Sequence, residues 1–224
     1  MISIIVPTLN EQERIAALVD ALRALPGEKE VVVADGHSED ETVQRAHAAG
    51  AHVVLCPRGR GLQLHAGALA AAGDVLWFVH ADTQPAPGAL HEIRHALRNK
   101  SAAGGNFCLT FDGTSLAARQ MTWLYPKLRL LGLSYGDAGI FIRRNAYEQI
   151  GGFRPLALFE DLDLIRRLKK HGDFVHLNAR LTTSSRRFEG WNYPRTWSIW
   201  ITLQLLYWMG VSPNRLARWY RQVR

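Results

Sequence analysis

The chain has 224 residues, 47% hydrophobic and 21% charged, which is the composition of a globular protein with one large core or two small ones. Its formal net charge of +7 favours an anionic small molecule or an anionic membrane surface as partner. Nucleic acid is disfavoured, because the sequence has no helix-turn-helix, zinc or aromatic-basic strand signature.

Strands and helices alternate through the first hundred residues. The apolar run at 2–6 predicts a buried strand, and Asn10 with Glu13 forms a capping-box pattern that predicts the start of a helix. Residues 26–27, Pro-Gly, end this helix. Its apolar residues recur at helical spacing: Ile15, Leu18, Val19, Leu22 and Leu25.

The alternation continues with further strands and helices of similar length. The predicted strands are 31–35, 52–56 and 75–82, and the predicted helices are 40–49, 64–72 and 89–98. This order predicts βαβ units and a mostly parallel sheet. The two cysteines, Cys56 and Cys108, have no metal-ligand spacing, and the run at 2–6 is too short for a signal peptide, so we expect a reduced, cytoplasmic protein.

After residue 101 the order changes. We expect a strand at 106–111, a helical stretch at 116–133 interrupted by Pro126, a strand at 140–143 and a helix at 161–170. The second half is therefore predicted to contribute to a mixed sheet.

The last segment, 197–211, is apolar and rich in Trp, and arginines flank it. It is shorter than the roughly 20 apolar residues that span a bilayer. Two interpretations stay open: a helix packed on the domain or on a partner subunit, and a helix lying in a membrane interface. Ser212 and Pro213 predict the cap and the first position of a closing helix.

Two predicted strands end in a carboxylate, Asp35 and Asp82. Ligands of open α/β sheets bind in the crevice outside the carboxyl ends of the strands, so we expect both side chains in one pocket. A third acidic group at 160–163, Glu-Asp-Leu-Asp, lies downstream. Together they form the outline of an active site.

Four segments in chain order resemble those of family 2 glycosyltransferases. They are IIVPTLNE at 4–11, VADGHSEDET at 33–42, GD at 73–74 leading to HAD at 80–82, and GGF at 151–153 followed by Glu160 and Asp161. The resemblance extends to about Arg187. It implies an α/β fold of GT-A type, with a Rossmann-like mixed central sheet flanked by helices. Residues 1–193 would form this domain, with a nucleotide-sugar half at 1–100, an acceptor half at 101–193 and a helical extension at 194–224.

The resemblance also implies the residues of a nucleotide-sugar site. They are Pro7, Thr8, Asn10, Glu11, Asp35, Arg60, Gln63 and Ala81, with Arg186 or its neighbour Arg187 closing over the leaving diphosphate. Carboxylates accept hydrogen bonds from bases and riboses, and arginine pairs well with phosphate oxygens. The alternatives are structural: Asn10 as a helix cap, Asp35 as a turn residue, and the arginines as solvated loop residues.

The HAD segment occupies the place of the family's Asp-X-Asp motif, which implies that Asp82 meets a divalent cation, Mn²⁺ or Mg²⁺. His80 departs from the motif, because an imidazole replaces a carboxylate. Mn²⁺ tolerates nitrogen better than Mg²⁺ does, so His80 either ligates Mn²⁺ or only hydrogen-bonds at the strand end.

Glu160 and Asp161 resemble the family's acidic pair at a helix start, where the Asp acts as the general base. The alternative is an acid that merely favours the helix dipole. We expect Asp163 to point away and form a salt bridge. Asp137 and Gly139 would shape the acceptor or sugar pocket, or else form an ordinary turn.

The resemblance implies an inverting glycosyltransferase, of hexosyltransferase type (EC 2.4), that moves a sugar from a nucleotide-diphospho-sugar to an acceptor hydroxyl. A lipid-linked acceptor, with residues 195–224 at the inner face of the membrane, is one candidate. One alternative is a sugar-phosphate nucleotidyltransferase, although its Gly-rich, Lys-bearing loop is missing after the first strand. The other is a non-catalytic nucleotide-sugar-binding subunit in which His80 marks a decayed metal site.

Overall fold

The computed structural model describes residues 1–130, 136–185 and 193–223. The described strands are β1 Ile2–Thr8, β2 Lys29–Asp35, β3 His52–Leu55, β4 Val75–Phe78, β5 Thr83–Pro85, β6 Ala102–Phe111, β7 Phe141–Arg143 and β8 Asp173–Thr183. The described helices are α1 Ile15–Ala24, α2 Thr42–Ala48, α3 Arg60–Ala70, α4 Ala89–Ala96, α5 Leu116–Leu130, α6 Arg144–Gln149, α7 Glu160–His171, α8 Tyr193–Trp208 and α9 Pro213–Val223. A 3₁₀ turn occupies Gly136–Ala138.

The described strands form one sheet in the order β3-β2-β1-β4-β7-β6-β8-β5. The first four strands of this order are parallel, and β7 joins them to β6 by antiparallel pairing on both of its edges. Strand β8 is parallel to β6 and antiparallel to β5. The predicted parallel first half and mixed second half are confirmed. The order brings the ends of β1, β2 and β4 together at one edge.

Helices cover both faces of the sheet. Alternate residues of β1 face opposite sides, so Ile4 packs with α1 and α4 while Ile5 packs with α3, α6 and α7. Both side chains are fully buried. A sheet covered on two faces explains why its strands appear in the sequence as continuous apolar runs.

Three local predictions are wrong. The strand predicted at 75–82 ends at Phe78, so Asp82 lies in the turn that follows it. Asn10 does not cap α1, which begins at Ile15 after Arg14 without a side-chain cap. Asn10 instead has φ 57° and its side-chain oxygen accepts a hydrogen bond from the Glu39 N–H, so it connects two loops. Pro126 does not interrupt the helix in which it lies, because α5 continues through it to Leu130.

The C-terminal helices pack on the segment that leads into α7. Phe159 is buried against Leu203 of α8 and Leu216 of α9, and its ring stacks on Tyr207 with 4.8 Å between the centroids. Helix α9 begins at Pro213, as predicted. Among the described residues, no helix is long and apolar enough to span a membrane.

Two leucines of α8 test this packing. Leu203 is buried and Leu205 is exposed, so we expect Leu203→Ala to lower the free energy of unfolding by roughly 2–4 kcal/mol. Leu205→Ala should change it by less than about 0.5 kcal/mol. Urea unfolding followed by Trp fluorescence measures both, and equal effects would contradict the observed orientation of α8.

Candidate active site

Asp35 is a fixed carboxylate at the end of β2. It is fully buried, and its oxygens accept hydrogen bonds from Thr8 Oγ1 at 2.8 Å, the Ser38 N–H at 2.7 Å and Ser38 Oγ at 2.6 Å. Thr8 is the last residue of β1, paired in register with Asp35. The two strand ends therefore carry one polar cluster, in which Asp35 also makes the turn contact to Ser38.

The loop after β1 is held against the loop after β2. The Asn10 N–H donates to Ser38 Oγ at 2.8 Å, and the Glu11 N–H donates to Thr42 Oγ1 at 2.8 Å. The Glu11 side chain is half-buried, and this burial, together with the nearby charge of Asp82, raises its pKa against the opposing effect of Arg14. Glu11 and Asp82 thus face a common region.

Gln63 holds both loops from α3. Its side-chain nitrogen donates to the Thr8 carbonyl at 2.7 Å and the Ala34 carbonyl at 3.2 Å, and its oxygen accepts from the Gly59 N–H at 3.3 Å. Pro7 is half-buried in β1. Gln63 lies beside the predicted nucleoside residues, and the contacts it makes are to the backbone.

Arg60 is the centre of the site. At the first position of α3, it forms a close ion pair with Glu160 and lies 3.5 Å from Asp161 and 3.6 Å from Asp137. Glu160 and Asp161 are buried and open helix α7. Arg60 therefore connects the first half of the chain to the acidic residues of the second half.

Electrostatics in this cluster are set by burial and by the arginine. Burial lowers the pKa of an arginine, but Asp161, Glu160 and Asp137 outweigh it and raise the pKa of Arg60, which stays charged. Burial raises the pKa of Glu160, and Arg60 counteracts part of that rise. Around the one cation Arg60 the cluster thus holds three acids, of which Glu160 and Asp161 are buried and Asp137 is partly buried.

Backbone groups orient the Asp161 carboxylate. Its Oδ2 accepts from the Gly136 N–H at 2.6 Å and its Oδ1 from the Leu162 N–H at 2.8 Å. A Cβ at position 136 would lie 2.9 Å from the Asp161 side chain, so only glycine allows this approach. Each carboxylate oxygen keeps lone pairs for another partner.

The His80–Asp82 segment lies between the two halves. His80 Nδ1 is 3.6 Å from Asp137 Oδ1. Burial lowers the pKa of His80 although that carboxylate opposes the shift, and the lowered pKa keeps the imidazole neutral at neutral pH. Asp82 Oδ1 accepts a hydrogen bond from Thr183 Oγ1 at 3.3 Å. Ala81 packs against the core. In the part of the chain that the structure describes, no group of three or more His, Cys, Asp or Glu is placed to hold a metal.

Backbone conformations that cost energy are concentrated here. Asn10, His37 and Phe159 have positive φ, and they are the non-glycine residues that do so within the described ranges. Such conformations persist where the surroundings enforce them, often at functional sites. Phe159 directly precedes Glu160, so the strain is adjacent to the acidic pair.

The remaining predicted residues have definite places. Asp163 points away from the cluster and pairs with Arg167 at 2.7 Å and Arg154 at 3.3 Å, as predicted. Gly139 has φ 64° just before β7, where a Cβ would lie 2.7 Å from a methyl of Leu181. Arg186 and Arg187 lie outside the described residues.

Three site contacts were not predicted from the sequence. Ser38 has a local signal, since it follows Asp35 by three residues and an Asp-initiated turn brings its N–H to the carboxylate. Thr183 and Gly136 have none, because their partners Asp82 and Asp161 are distant in the chain.

Comparisons with known proteins bear on the family and the fold. Residues 3–154 match the model of the family described as glycosyl transferase family 2. An uncharacterized glycosyltransferase of Mycobacterium tuberculosis (strain H37Rv) is 36% identical over 93 residues, 41% of each chain. Glucosyl-3-phosphoglycerate synthase of Mycolicibacterium smegmatis is 37% identical over 92 residues, 36% of this chain and 30% of the synthase. The chain thus spans less than half the length of these curated relatives.

A solved structure shares the fold over a longer range. It is glucosyl-3-phosphoglycerate synthase from Mycobacterium tuberculosis in complex with Mn²⁺, UDP and glucosyl-3-phosphoglycerate. The TM-score is 0.62 at 25% identity, covering 80% of this chain and 70% of the other. The predicted GT-A type fold is confirmed. The family match ends before Glu160 and Asp161, whose placement therefore rests on the structure.

Replacing Arg60 with Met tests the ion-pair cluster. We expect a loss of roughly 1–3 kcal/mol in the free energy of unfolding at neutral pH, below the 3–5 kcal/mol of a broken fully buried pair, since 36% of the arginine side chain is exposed. Stability linked to a raised acid pKa is present at low pH and is lost as the pH rises through that pKa. Removing Arg60 raises the pKa of Glu160 further, so the deficit should grow from acid to neutral pH as Glu160 ionises.

Urea unfolding across this pH range measures the deficit. Arg60→Lys, which keeps the charge without the guanidinium fork, should lie between the wild type and Arg60→Met. A deficit of Arg60→Met that does not vary with pH would contradict the ion-pair account.

Proposed function

Because the chain belongs to glycosyltransferase family 2, we propose that it transfers a sugar from a nucleotide-diphospho-sugar to an acceptor hydroxyl with inversion at the anomeric carbon. One observation carries the proposal: Arg60 brings Glu160 and Asp161 beside Asp137, whose carboxylate also faces His80. The carboxylates of the second half thereby meet the donor-side strand ends.

The nucleoside is assigned to the ends of β1 and β2. A carboxylate has about four lone-pair sites, and three donors from Thr8 and Ser38 reach Asp35, so one site remains for a base N–H or a ribose hydroxyl. The similar synthase was solved with UDP, which favours uridine as the nucleoside here.

The residues present fit a divalent cation that binds together with the donor. Asp82 offers a half-buried carboxylate, Glu11 faces the same region, and His80 is neutral with an imidazole that Mn²⁺ accepts. Mg²⁺ and Mn²⁺ at such sites bind through one or two carboxylates plus substrate phosphates, which explains how a site without a ready three-ligand group can serve. When bound, the cation neutralises charge on the leaving diphosphate. The similar synthase was solved with Mn²⁺, and also with Mg²⁺.

Asp161 is the proposed general base. As the acceptor oxygen bonds to C1 of the sugar, the bond from C1 to the diphosphate oxygen breaks, and the hydroxyl proton passes to an Asp161 oxygen. The backbone N–H groups of Gly136 and Leu162 hold that carboxylate in one orientation. Positioning of this kind supplies much of the rate, because an aspartate is a weak base near neutral pH.

Arg60 and Glu160 are proposed to support the base. Acids at 137, 160 and 161 would repel an anionic donor, and the charge of Arg60 offsets them. The positive-φ residue Phe159 and the cap of α7 fix where this acidic pair begins.

The acceptor has two candidate classes. The similar synthase was solved with phosphoglyceric acid and with glycerol 3-phosphate, which favours a small anionic hydroxyl compound. The exposed apolar side of the C-terminal helices favours a lipid-linked acceptor. Both described cysteines are free thiols, which supports the proposed cytoplasmic location.

Asp161→Asn tests the base assignment, and Asp163→Asn on the same helix is its matched control. We expect Asp161→Asn to lose at least about a hundredfold in transfer while keeping donor binding, since a base contributes 10²–10⁴-fold. Asp163 pairs with arginines outside the cluster, so its variant should stay within a few-fold of wild type. Release of UDP from UDP-glucose, together with calorimetric binding of UDP, measures both quantities.

Wild-type transfer by Asp161→Asn would refute the base assignment. Release of pyrophosphate from nucleoside triphosphate and sugar phosphate would identify a nucleotidyltransferase instead. Binding without turnover under every condition would identify a non-catalytic subunit.

Calorimetric titration with UDP, GDP, CDP and dTDP, each with Mn²⁺, Mg²⁺ or chelator, tests the donor site. We expect UDP to bind with a divalent cation and to bind at least tenfold more weakly with chelator. Asp82→Asn should weaken UDP binding but leave uridine binding unchanged, whereas Asp35→Asn should weaken both. Equal effects of the two variants on uridine would contradict the division into a diphosphate end and a nucleoside end.

A further inference from the structure

The outer side of α8 is an exposed apolar surface. Ile201, Leu205 and Trp208, together with Met209 directly after the helix, are between 48% and 70% exposed. Their spacing places them on one stripe of the helix, here called the outer stripe. The opposite side of α8 is also apolar, and it packs on Phe159. A helix that is apolar on both sides is normally buried on both, so the outer stripe indicates a binding surface.

The charged residues of α8 and α9 all have one sign. No charged residue occurs between Arg195 and Arg215, and no Asp or Glu follows Glu189. Arg195, Arg215 and Arg218 are exposed, and so is Trp219. Exposed tryptophans next to arginines, with no acid among them, are typical of helices that lie in the headgroup region of anionic lipids.

We propose that α8 and α9 dock the protein on an anionic membrane surface through the outer stripe and these arginines. The arginines complement anionic headgroups, and the stripe enters the boundary between headgroups and acyl chains. A second copy of the chain fits less well, because a two-fold contact would place the same arginines beside each other.

The length of α8 determines how it lies. Its 16 residues extend about 24 Å, short of the roughly 30 Å hydrocarbon core, so the helix lies along the surface. Its inner side packs on Phe159, next to Glu160 and Asp161. Docking therefore brings the acidic pair close to the lipid. If the protein has the proposed transferase function, its acceptor is then lipid-linked.

Co-sedimentation of the full chain with vesicles tests the docking. We expect binding to vesicles containing phosphatidylglycerol and much weaker binding to pure phosphatidylcholine vesicles. The double variant Trp208→Gln with Met209→Gln should reduce binding by about a hundredfold, because each of the two large apolar side chains contributes about tenfold when buried. The matched control is Leu55→Gln with Leu69→Gln, which removes two exposed apolar residues on β3 and α3 and should bind like wild type.

Removing two of the arginines tests the electrostatic part of the docking. Arg215→Gln with Arg218→Gln should lower binding to anionic vesicles several-fold and flatten its salt dependence. Unfolding curves of each variant establish that it is folded. The assay needs no sugar donor, so it decides the docking whether or not transfer occurs.

Two results would overturn the proposal. One is equal vesicle binding by wild type and the Trp208→Gln, Met209→Gln variant. The other is a wild-type dimer that shows no vesicle binding and becomes monomeric in that variant, which would make the outer stripe a contact between copies.

Discussion

The site depends on the ion pairs of Arg60. This residue begins α3 in the first half of the chain, and its partners Asp137, Glu160 and Asp161 all belong to the second half. Buried acids repel one another and favour protonation, as the raised pKa of Glu160 shows. Ion pairs with a shared guanidinium offset this repulsion. The contact between α3 and the start of α7 and the electrostatics of the site therefore depend on the same interaction.

The sequence predicts the donor side well, because its signals are local. The apolar run ending in Asp35 marks the end of β2, and the run leading to Asp82 locates β4, which ends earlier at Phe78. The order of strands and helices specifies the parallel half of the sheet. Asp163 could be assigned to an outward salt bridge from its spacing to Asp161 along one helix. The capping prediction for Asn10 was wrong, because asparagine is favoured both as a helix cap and as a loop residue with positive φ.

What the sequence cannot supply is contact between distant segments. Strand β8 mixes polar and apolar residues over 11 positions and lacks the continuous apolar run of a central strand, yet it brings Thr183 to Asp82. Pro126 suggests a break, but α5 continues through it. Gly136 contacts Asp161, and Phe159 contacts Tyr207. Both contacts depend on how the helices pack on the folded sheet, which cannot be predicted from a short motif.

The packing of Phe159 against α8 and α9 has an evolutionary consequence. Asp35 lies at the end of a central strand and Asp82 in the turn that follows β4, whereas the loop that leads into Glu160 is held by two helices at the end of the chain. Exchange or remodelling of those helices would reshape the surroundings of the acidic pair and leave Asp35 and Asp82 in place. Such an architecture lets one nucleotide-binding scaffold diversify toward new acceptors without rebuilding its donor site.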